Sequence, residues 1–394
     1  MTTRFVRLLS AMLVLTLLAA ACGDDENGTD DGGENAGNGD GTDADSESSA
    51  DDGAAAGSGG RETAAITAER CAANEAAGTI TMVTGFDFAA TAGIIDMIVA
   101  DAEGYFDELC IDVDLQPGFA PANSALVIEG QAQIGNAGSF SEMVNNNVAG
   151  EGDLVAFLHF GRTAIEGLVL PEGSEITDFG DLCGSTVGIK GDLPYSLQAS
   201  VAMAGIERSC FEEILLDGFD PVSHLELGID ALPVYKSNEP NTLEQQGIEF
   251  TLLDPLDFDV PSSFGITFTT QAFIDENPEL MADITRALLK GHEASVADLD
   301  AAVDHAFELI DAAGNPVFLA EESERFRWGV ESELIESLAP EGVGVAIPDT
   351  ALLGEEIEAM VAAGVFETAP DWESMVDPSI AEGVYEGTTL VWPG

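Results

Sequence analysis

The sequence predicts an α/β protein built from two lobes, and three features indicate it. The 394 residues are 45% hydrophobic, which is enough to bury a large core, and the length favours two lobes or domains. Short apolar runs of strand length alternate with segments whose apolar residues have helical spacing. In the stretch 228–240, GIDALPVYKSNEP, an apolar run leads directly into polar residues. Polar groups just past the end of a buried strand lie where open α/β sheets bind ligands.

The charge excludes some partners. The chain has 73 acidic and 12 basic residues and a formal net charge of −61. Nucleic acid and anionic membrane surfaces would be repelled, so neither is expected to bind by charge. Such an acidic chain with only three lysines fits a protein that works in high salt, where screening shortens electrostatic repulsion.

The N-terminal segment is typical of an export signal. Residues 1–21 carry Arg4 and Arg7 and then an apolar run that is too short to span a membrane. The run ends in LLAAACG, which resembles a bacterial lipobox and makes Cys22 the expected lipidation site. Residues 22–70 are predicted to be a disordered acidic tether, since Gly23–Gly60 holds twelve acids and no base. We therefore expect an extracytoplasmic protein with a lipid anchor on the outer face of the cytoplasmic membrane.

The first part of lobe 1 is predicted over residues 79–167. Four strands and three helices alternate in it: a strand at 79–84, a helix with Ile94, Ile95, Ile98 and Val99 on one face, a second strand after Cys110, a helix ending near Gly130, a third strand in QIGNAG, a helix to about Asn147, and a strand at 153–160. The last strand, DLVAFLHF, is apolar throughout, as expected of a strand that is covered on both faces.

Lobe 2 is predicted over residues 168–263, and the chain then returns to lobe 1. Strands are expected at 185–190, 231–235 and 248–253, with a helix carrying Leu197, Val201 and Ala204 between the first two. The segment 264–269 is interpreted as a return crossing. Residues 264–394 complete lobe 1 and add C-terminal helices, with apolar faces around Leu280, Leu299 and Leu353.

Four cysteines follow Cys22, and export favours their oxidation. They allow three connectivities. Cys71 and Cys110 flank elements of lobe 1, and Cys183 and Cys210 flank elements of lobe 2, so we expect these two local pairs.

Several stretches, in order, resemble the substrate-binding proteins of ABC importers, in the NMT1/THI5-like branch that is similar to binders of thiamine precursors, nitrate, sulfonates and taurine. They are AEGYFDELCIDVDL, IEGQAQIGNAG, ITDFGDLCGSTVGIK, GIDALPVYKSNEPNTLEQQGI and FTTQAFIDENPELMADITRALLKGHEAS. The resemblance implies a type II periplasmic-binding-protein fold, with a hinge between two α/β lobes and the ligand between them. It also implies a permease and an ATPase as partners, and we expect a monomer.

Two departures from the family bear on the expected ligand and on the expected function. The first loop, GFDFAATAG, lacks the Trp, Asn and His that are typical of binders of the thiamine-precursor pyrimidine. The cysteine-rich motif of the fungal pyrimidine-forming enzymes is also missing, which disfavours an enzyme of that type.

Catalytic motifs are not found in the sequence. It has no G-x-S-x-G, phosphate-loop or H-E-x-x-H pattern, and its four histidines lack ligand spacing, so we predict no catalytic residue, metal or cofactor. Binding groups are expected instead at strand ends, where aromatic rings offer apolar faces and hydroxyls near helix starts offer donors. The candidates are Phe86, Asp87, Phe88, Ser139, Lys190, Asp192, Tyr195, Ser196, Tyr235, Asn238 and Glu239. For each of them core packing or helix capping is the alternative role.

The expected ligand is a small organic nutrient with a heterocycle, such as a pyrimidine or flavin precursor. The aromatic candidates favour the ring, while Lys190 and Lys236 would suit an anionic group unless they neutralise carboxylates such as Asp192 and Glu239. Nitrate, sulfonates or taurine are the alternative ligands. A sensor for a membrane receptor and a THI5-like enzyme are the alternative functions.

Overall fold

The computed structural model describes residues 65–120 and 122–393. The predicted signal peptide, Cys22 and most of the tether lie outside the described residues. Ala65 and Ile66 are buried and the first helix spans Ala68–Glu75, with the Thr67 side chain accepting from the backbone N–H of Arg70. The last six residues assigned to the tether are therefore part of the folded chain.

The secondary structure alternates as the apolar pattern predicts. The strands are β1 Ile80–Val83, β2 Val113–Gln116, β3 Ile134–Ala137, β4 Leu154–Gly161, β5 Glu166–Pro171, β6 Thr186–Ile189, β7 Glu212–Leu215, β8 Leu232–Tyr235, β9 Phe250–Leu253, β10 Phe264–Thr270, β11 Tyr385–Glu386 and β12 Thr389–Leu390. The helices are α1 Ala68–Glu75, α2 Ile95–Ala102, α3 Tyr105–Glu108, α4 Ala122–Ile128, α5 Phe140–Ala149, α6 Tyr195–Met203, α7 Pro221–Glu226, α8 Glu239–Gln245, α9 Gln271–Glu276, α10 Pro278–Ala297, α11 Leu299–Ala313, α12 Glu321–Ser337, α13 Thr350–Ala362 and α14 Pro378–Glu382.

The first sheet has the strand order β2-β1-β3-β10-β4. Strands β1, β2 and β3 are parallel, whereas β10 runs antiparallel to both β3 and β4. All eight residues of β4 are buried, as its continuous apolar sequence predicts. Strand β10 enters the sheet after the chain has passed through the second lobe.

The second group of strands repeats this arrangement. Strand β5 is antiparallel to β8 and β9, and β6 is parallel to β7. A parallel bridge between Val187 and Ala231 joins β6 to the residue before β8, so the order is β7-β6-β8-β5-β9. In both sheets the antiparallel strand is the one that follows a crossing segment. Residues 162–165 lead into β5, and residues 254–263 lead into β10.

Helices cover the first sheet and also reach the second lobe. Gly291 of α10 lies so close to α2 that an added Cβ would be 2.2 Å from the carbonyl oxygen of Asp96, so only glycine allows this packing. Ala199 of α6 shares one buried cluster with Leu353 and Ile357 of α13. The C-terminal helices therefore contact both lobes.

The two predicted disulfides are confirmed. Cys71 is bonded to Cys110 and Cys183 to Cys210, with Cα–Cα distances of 5.2 and 4.8 Å. The first links α1 to the residues before β2, and the second lies beside the β6–β7 pair. Neither bond joins the two sheets, so both leave the crossing segments unconstrained.

Among the described residues, no helix has the length and the apolar character that crossing a membrane requires.

Candidate ligand-binding site

A cavity of about 530 Å³ opens between the two groups of strands. Its walls come from the loops that follow β1, β2 and β3, from the loops that follow β6, β7 and β8, and from α12. The carboxyl ends of parallel strands are where open α/β sheets bind ligands. At the start of β10, Gly265 has φ +66°, and an added Cβ would be 2.7 Å from the Cβ of Ala92, so this wall needs glycine.

Aromatic rings line the cavity from both sides. Phe86 and Phe119, from the loops after β1 and β2, pack edge to face with their centroids 5.5 Å apart. Phe219 follows β7 and is 73% exposed, and Phe318 precedes α12 and is 90% exposed. Tyr235, at the end of β8, is 47% exposed on the cavity wall. Exposed rings at the mouth of a cavity can bury their faces against a flat ligand.

Glu239, the first residue of α8, is the central polar group of the second lobe. One carboxylate oxygen accepts from Lys190 Nζ at 2.5 Å and the other from the backbone N–H of Tyr235 at 2.9 Å. These contacts hold a buried carboxylate on the cavity wall. The pKa of the nearby Tyr235 hydroxyl is raised by partial enclosure and then by the carboxylates of Glu166, Glu142 and Glu239. The phenol therefore stays protonated and can donate a hydrogen bond.

Helix α12 turns a row of charged residues toward the cavity. Glu324, Arg327 and Glu331 are spaced by three and four residues and so share one face of the helix, and all three line the cavity. Trp328 is fully buried and donates through Nε1 to the Ser295 carbonyl at 2.9 Å, which fixes the rotation of the helix.

The two carboxylates of α12 bind the loop after β1. Glu331 Oε2 accepts from Thr91 Oγ1 at 2.5 Å and from the backbone N–H of Ala92 at 2.8 Å. Glu324 Oε2 accepts from the N–H of Ala90 at 2.8 Å. Burial raises the pKa of Glu331, although the hydrogen bond from Thr91 opposes this shift.

The same helix also reaches the second lobe. Glu331 Oε1 accepts from Ser237 Oγ at 2.9 Å, and Arg327 Nη2 donates to Asn238 Oδ1 at 3.3 Å. Burial alone would lower the pKa of Arg327, but the carboxylates of Glu324 and Glu331 keep it above its ordinary value. The guanidinium therefore remains charged and is neutralised by the protein itself.

The floor of the cavity offers hydrogen-bond acceptors. Asn136 of β3 is 4% exposed and lines the cavity, and its Oδ1 has no partner among the described residues. An unpaired buried acceptor costs about 1–3 kcal/mol, which a ligand donor can recover. Glu142 of α5 also lines the floor and accepts from the N–H of Gly138 at 2.8 Å. Burial raises the pKa of the Glu142 carboxyl.

Five of the predicted binding residues line this cavity: Phe86, Lys190, Tyr235, Asn238 and Glu239. Asn238 occupies the N-cap position of α8, yet its side chain makes no capping hydrogen bond. It accepts from Arg327 instead.

The other six residues lie outside the cavity lining. Phe88 is buried in the core of the first lobe. The neighbouring Asp87 is buried too, and its Oδ1 accepts from the N–H of Phe88. Ser139 caps α5, and Tyr195 packs against the cluster beneath that helix. Phe88, Ser139 and Tyr195 thus have the core or capping role that was the alternative, whereas Asp87 Oδ2 has no partner among the described residues.

Asp192 and Ser196 are held by other partners. Asp192 forms an ion pair with Arg208 at the surface. Ser196 Oγ donates to Glu166 Oε2 at 2.8 Å, so its hydroxyl serves a carboxylate of the protein. Burial raises the pKa of Glu166, opposed mainly by this hydrogen bond.

The two lysines that suggested an anionic ligand are both paired. Lys236 Nζ lies 3.0 and 2.9 Å from the two oxygens of Asp254 and does not line the cavity, and Lys190 is bound to Glu239. The charged side chains of the lining are the cations Lys190 and Arg327 and the carboxyl groups Glu142, Glu239, Glu324 and Glu331. Acceptors therefore outnumber free donors.

The sequence analysis missed several lining residues. Phe119, Asn136 and Phe219 follow or end strands, so the rule that identified Phe86 and Tyr235 could have found them. Glu324 and Glu331 carried no such signal. They lie in EESERFRWGVESELIES, where an acid-rich helix looks like an ordinary solvated face.

Two curated proteins have sequences similar to this chain. The formylaminopyrimidine-binding protein of Halalkalibacterium halodurans is 25% identical over 300 residues, 74% of this chain and 86% of that protein. The riboflavin-binding protein RibY of Chloroflexus aurantiacus is 30% identical over 139 residues, 34% of this chain and 38% of that protein.

Solved structures share the architecture at lower identity. The periplasmic aliphatic sulphonate binding protein SsuA of Escherichia coli has a TM-score of 0.58 and 12% identity, over 79% of this chain and 94% of SsuA. The desulfurization enzyme DSZB has a TM-score of 0.52 and 12% identity, over 77% of this chain and 98% of DSZB. The chain therefore has the two-lobe α/β periplasmic-binding-protein fold.

The model of one protein family, described as NMT1/THI5 like, matches residues 91–302. This match spans both crossing segments, the loops after β2, β3, β6, β7 and β8, and most of the cavity wall. It covers more than half of the sequence. The chain belongs to the NMT1/THI5-like family.

Proposed function

We propose that this protein is an extracytoplasmic solute-binding protein that captures a small heterocyclic nutrient between its lobes and delivers it to an ABC importer. The observation that carries the proposal is the cavity at the strand ends, lined by aromatic rings and by fixed hydrogen-bond acceptors. The named relatives support it, since one binds formylaminopyrimidine and another riboflavin. The permease and ATPase of the importer are the proposed partners, and the protein is proposed to act as a monomer.

The lining favours a particular ligand chemistry. Asn136 Oδ1 and the carboxylate of Glu239 can each accept a hydrogen bond from a ring or exocyclic N–H. Phe86, Phe119 and Tyr235 can cover the faces of a flat ring. An amino-substituted heterocycle, uncharged or cationic, satisfies both requirements. It would also give Asn136 Oδ1 a donor.

Binding is proposed to close the two lobes around the ligand. Only the segments 162–165 and 254–263 connect the sheets along the chain, and a few such residues can absorb a hinge rotation. Phe219 and Phe318, which are mostly exposed, would then bury their rings. No cofactor is needed for this function.

Alternative functions have weaker support. Binding of nitrate, sulfonates or taurine for import is favoured only by the shared fold of SsuA, and both lysines that would serve an anion are already paired. An enzymatic function is favoured only by the shared fold of DSZB, and the sequence contains none of the catalytic motifs named above. A sensor for a membrane receptor would use the same cavity. It would differ from an importer component only in its partner, which would be the receptor.

A thermal-shift screen of the purified protein tests the ligand class. We expect aminopyrimidines or riboflavin to raise the melting temperature, because a ligand at a hundredfold excess over its Kd adds about 2.7 kcal/mol of stability. Taurine, alkanesulfonates and nitrate at the same concentrations are the matched anionic set. A shift with these anions and with no heterocycle would reject the proposed ligand class.

The mature protein is proposed to be lipidated at Cys22 and held on the outer face of the cytoplasmic membrane. We expect Cys22→Ala to release the protein into the aqueous phase of a detergent partition, because one acyl-bearing residue would supply the whole anchor. Cys22→Ser, which also removes the thiol, should behave in the same way. Retention of both variants in the detergent phase would contradict lipidation.

A further inference from the structure

Three hydrogen-bond donors lie in consecutive residues of the loop after β1, and two of these residues, Thr91 and Ala92, line the cavity. They are the backbone N–H groups of Ala90 and Ala92 and the hydroxyl of Thr91. Neighbouring donors of this kind, two backbone N–H groups and a hydroxyl from one short segment, suit the oxygens of an anion. All three are already used by carboxylates of α12.

These carboxylates are fixed parts of the protein. Glu324 and Glu331 are both almost fully buried, and both line the cavity. Arg327 Nε lies 3.1 Å from each oxygen of Glu324, and Ser237 Oγ donates to the second oxygen of Glu331 at 2.9 Å. Every one of their four carboxylate oxygens therefore has a partner, so neither group is free to turn away when a ligand arrives.

We propose that Glu324 and Glu331 are built-in anions, which occupy the donors of Ala90, Thr91 and Ala92 and thereby make the cleft reject anionic ligands. The inference rests on the proposed function, since it sets the charge of the solute that the cleft accepts. A sulfonate or carboxylate would meet occupied donors and two like charges on the cavity wall. An uncharged or cationic heterocycle meets carboxylate acceptors instead.

The cations nearby do not cancel this selection. Arg327 is bound to Glu324 and to Asn238, and Lys190 is bound to Glu239. An anion would have to compete with these carboxylates for either cation. The charge preference thus comes from α12, which lies far along the chain from the strand-end loops that form the rest of the cavity.

Titration calorimetry with taurine and methanesulfonate tests this assignment. Glu331→Ala frees the donors of Thr91 and Ala92 and removes one buried charge, so we expect at least tenfold tighter anion binding than in the wild type. Glu331→Gln keeps the shape of the side chain, removes the charge and replaces one acceptor oxygen with an NH2 donor, and a smaller gain is expected. Glu333→Ala, an exposed acid on the same helix, is the control for net charge and should leave anion binding unchanged.

A second substitution tests whether the increased anion affinity comes from the freed donors. Adding Thr91→Val to Glu331→Ala removes the hydroxyl donor, and we expect most of the new anion affinity to disappear. A merely structural role of Glu331 predicts lower stability and no anion binding in any variant. That result would overturn the proposal if circular dichroism showed that Glu331→Gln is folded. Equal sulfonate affinity of the wild type and Glu331→Ala would also overturn it.

These experiments can fail independently of the proposed function. If the Glu331 variants bind anions more tightly than the wild type while the wild type binds no heterocycle, the proposed role of Glu324 and Glu331 is supported and the proposed nutrient is wrong. If the wild type binds a heterocycle and no variant binds anions more tightly, the proposed nutrient is supported and the proposed role of α12 is wrong.

Discussion

Replacing Glu239 with Gln is expected to weaken binding of the heterocyclic ligand by roughly 30- to 150-fold. A hydrogen bond to a charged group contributes about 1.5–3 kcal/mol, and the upper part of that range applies because Glu239 is buried on the cavity wall. The amide keeps an acceptor for the N–H of Tyr235, so the turn into α8 should persist. Titration calorimetry with the heterocycle found in the screen measures the loss.

The matched control is Glu244→Gln, an exposed acid near the end of the same helix. It changes the net charge equally, and we expect its affinity to equal that of the wild type. If Glu239→Gln lost less than threefold while keeping the wild-type melting temperature, Glu239 would not be a ligand group. Equal losses in both variants would point to a general charge effect instead.

Acidification is expected to remove about 3 kcal/mol of folding stability through His159 alone. This side chain is fully buried in β4, where Nε2 donates to the Gly161 carbonyl at 2.8 Å and Nδ1 accepts from the N–H of Asp349 at 3.4 Å. Burial, and then the charge of Arg162, lower the pKa of His159 from 6.5 to about 4. The folded protein therefore keeps this imidazole neutral in a range where the unfolded chain protonates it.

The sign of the effect follows from proton binding. Between pH 6.5 and 4 the unfolded chain binds a proton at this histidine and the folded chain does not, so the free energy of unfolding falls as the pH falls. The full contribution is present above pH 6.5 and is lost below pH 4. A shift of about 2.5 pKa units corresponds to about 3 kcal/mol. Buried carboxyl groups with raised pKa values act in the opposite direction: Glu142, Glu166, Glu331 and Glu356.

Comparison with His159→Gln isolates this contribution. The glutamine amide can still donate to the Gly161 carbonyl but does not titrate. In urea unfolding from pH 7.5 to 4, we expect the wild type to lose about 3 kcal/mol more than the variant. His305→Gln, at a partly exposed histidine paired with Glu103, controls for the loss of a histidine. Parallel curves for the wild type and His159→Gln would contradict a depressed pKa at this position.

The sequence predicts the fold well because its signals are local. The apolar runs give eight of the strands β1 to β10 within a few residues, and DLVAFLHF gives a strand that is buried on both faces, whereas β5 and β7 were not predicted. The two disulfides follow from nearest pairing within each lobe. The order of strands in the sheets depends on contacts between distant segments, so the apolar pattern gave no prediction of it.

The candidate site was predictable only in part. Strand-end position identified Phe86, Tyr235 and Glu239, which all line the cavity. It also selected Phe88, because the sequence does not tell which of two neighbouring aromatic residues points into the core. The scarcity of lysine suggested Lys236 as a ligand group, whereas its partner Asp254 is distant enough in sequence to give no signal.

The contribution of α12 could not be foreseen at all. With 73 acids in the chain, a buried glutamate looks like its exposed neighbours until its partners are known. Glu331 is separated by 240 residues from Thr91 and by 94 from Ser237, so no spacing rule links them. Tertiary contacts alone give this helix its role in the cleft.

Native mass spectrometry of the protein as purified from its own cells tests the central proposal, a small heterocycle held in the cleft, most directly. We expect the wild type to carry an adduct that releases one nitrogen heterocycle on denaturation, and Glu239→Gln, prepared in parallel, to carry little of it. Glu244→Gln should retain the adduct. A wild-type protein that carried a sulfonate or an inorganic anion, or a heterocycle retained equally by Glu239→Gln, would contradict the proposal.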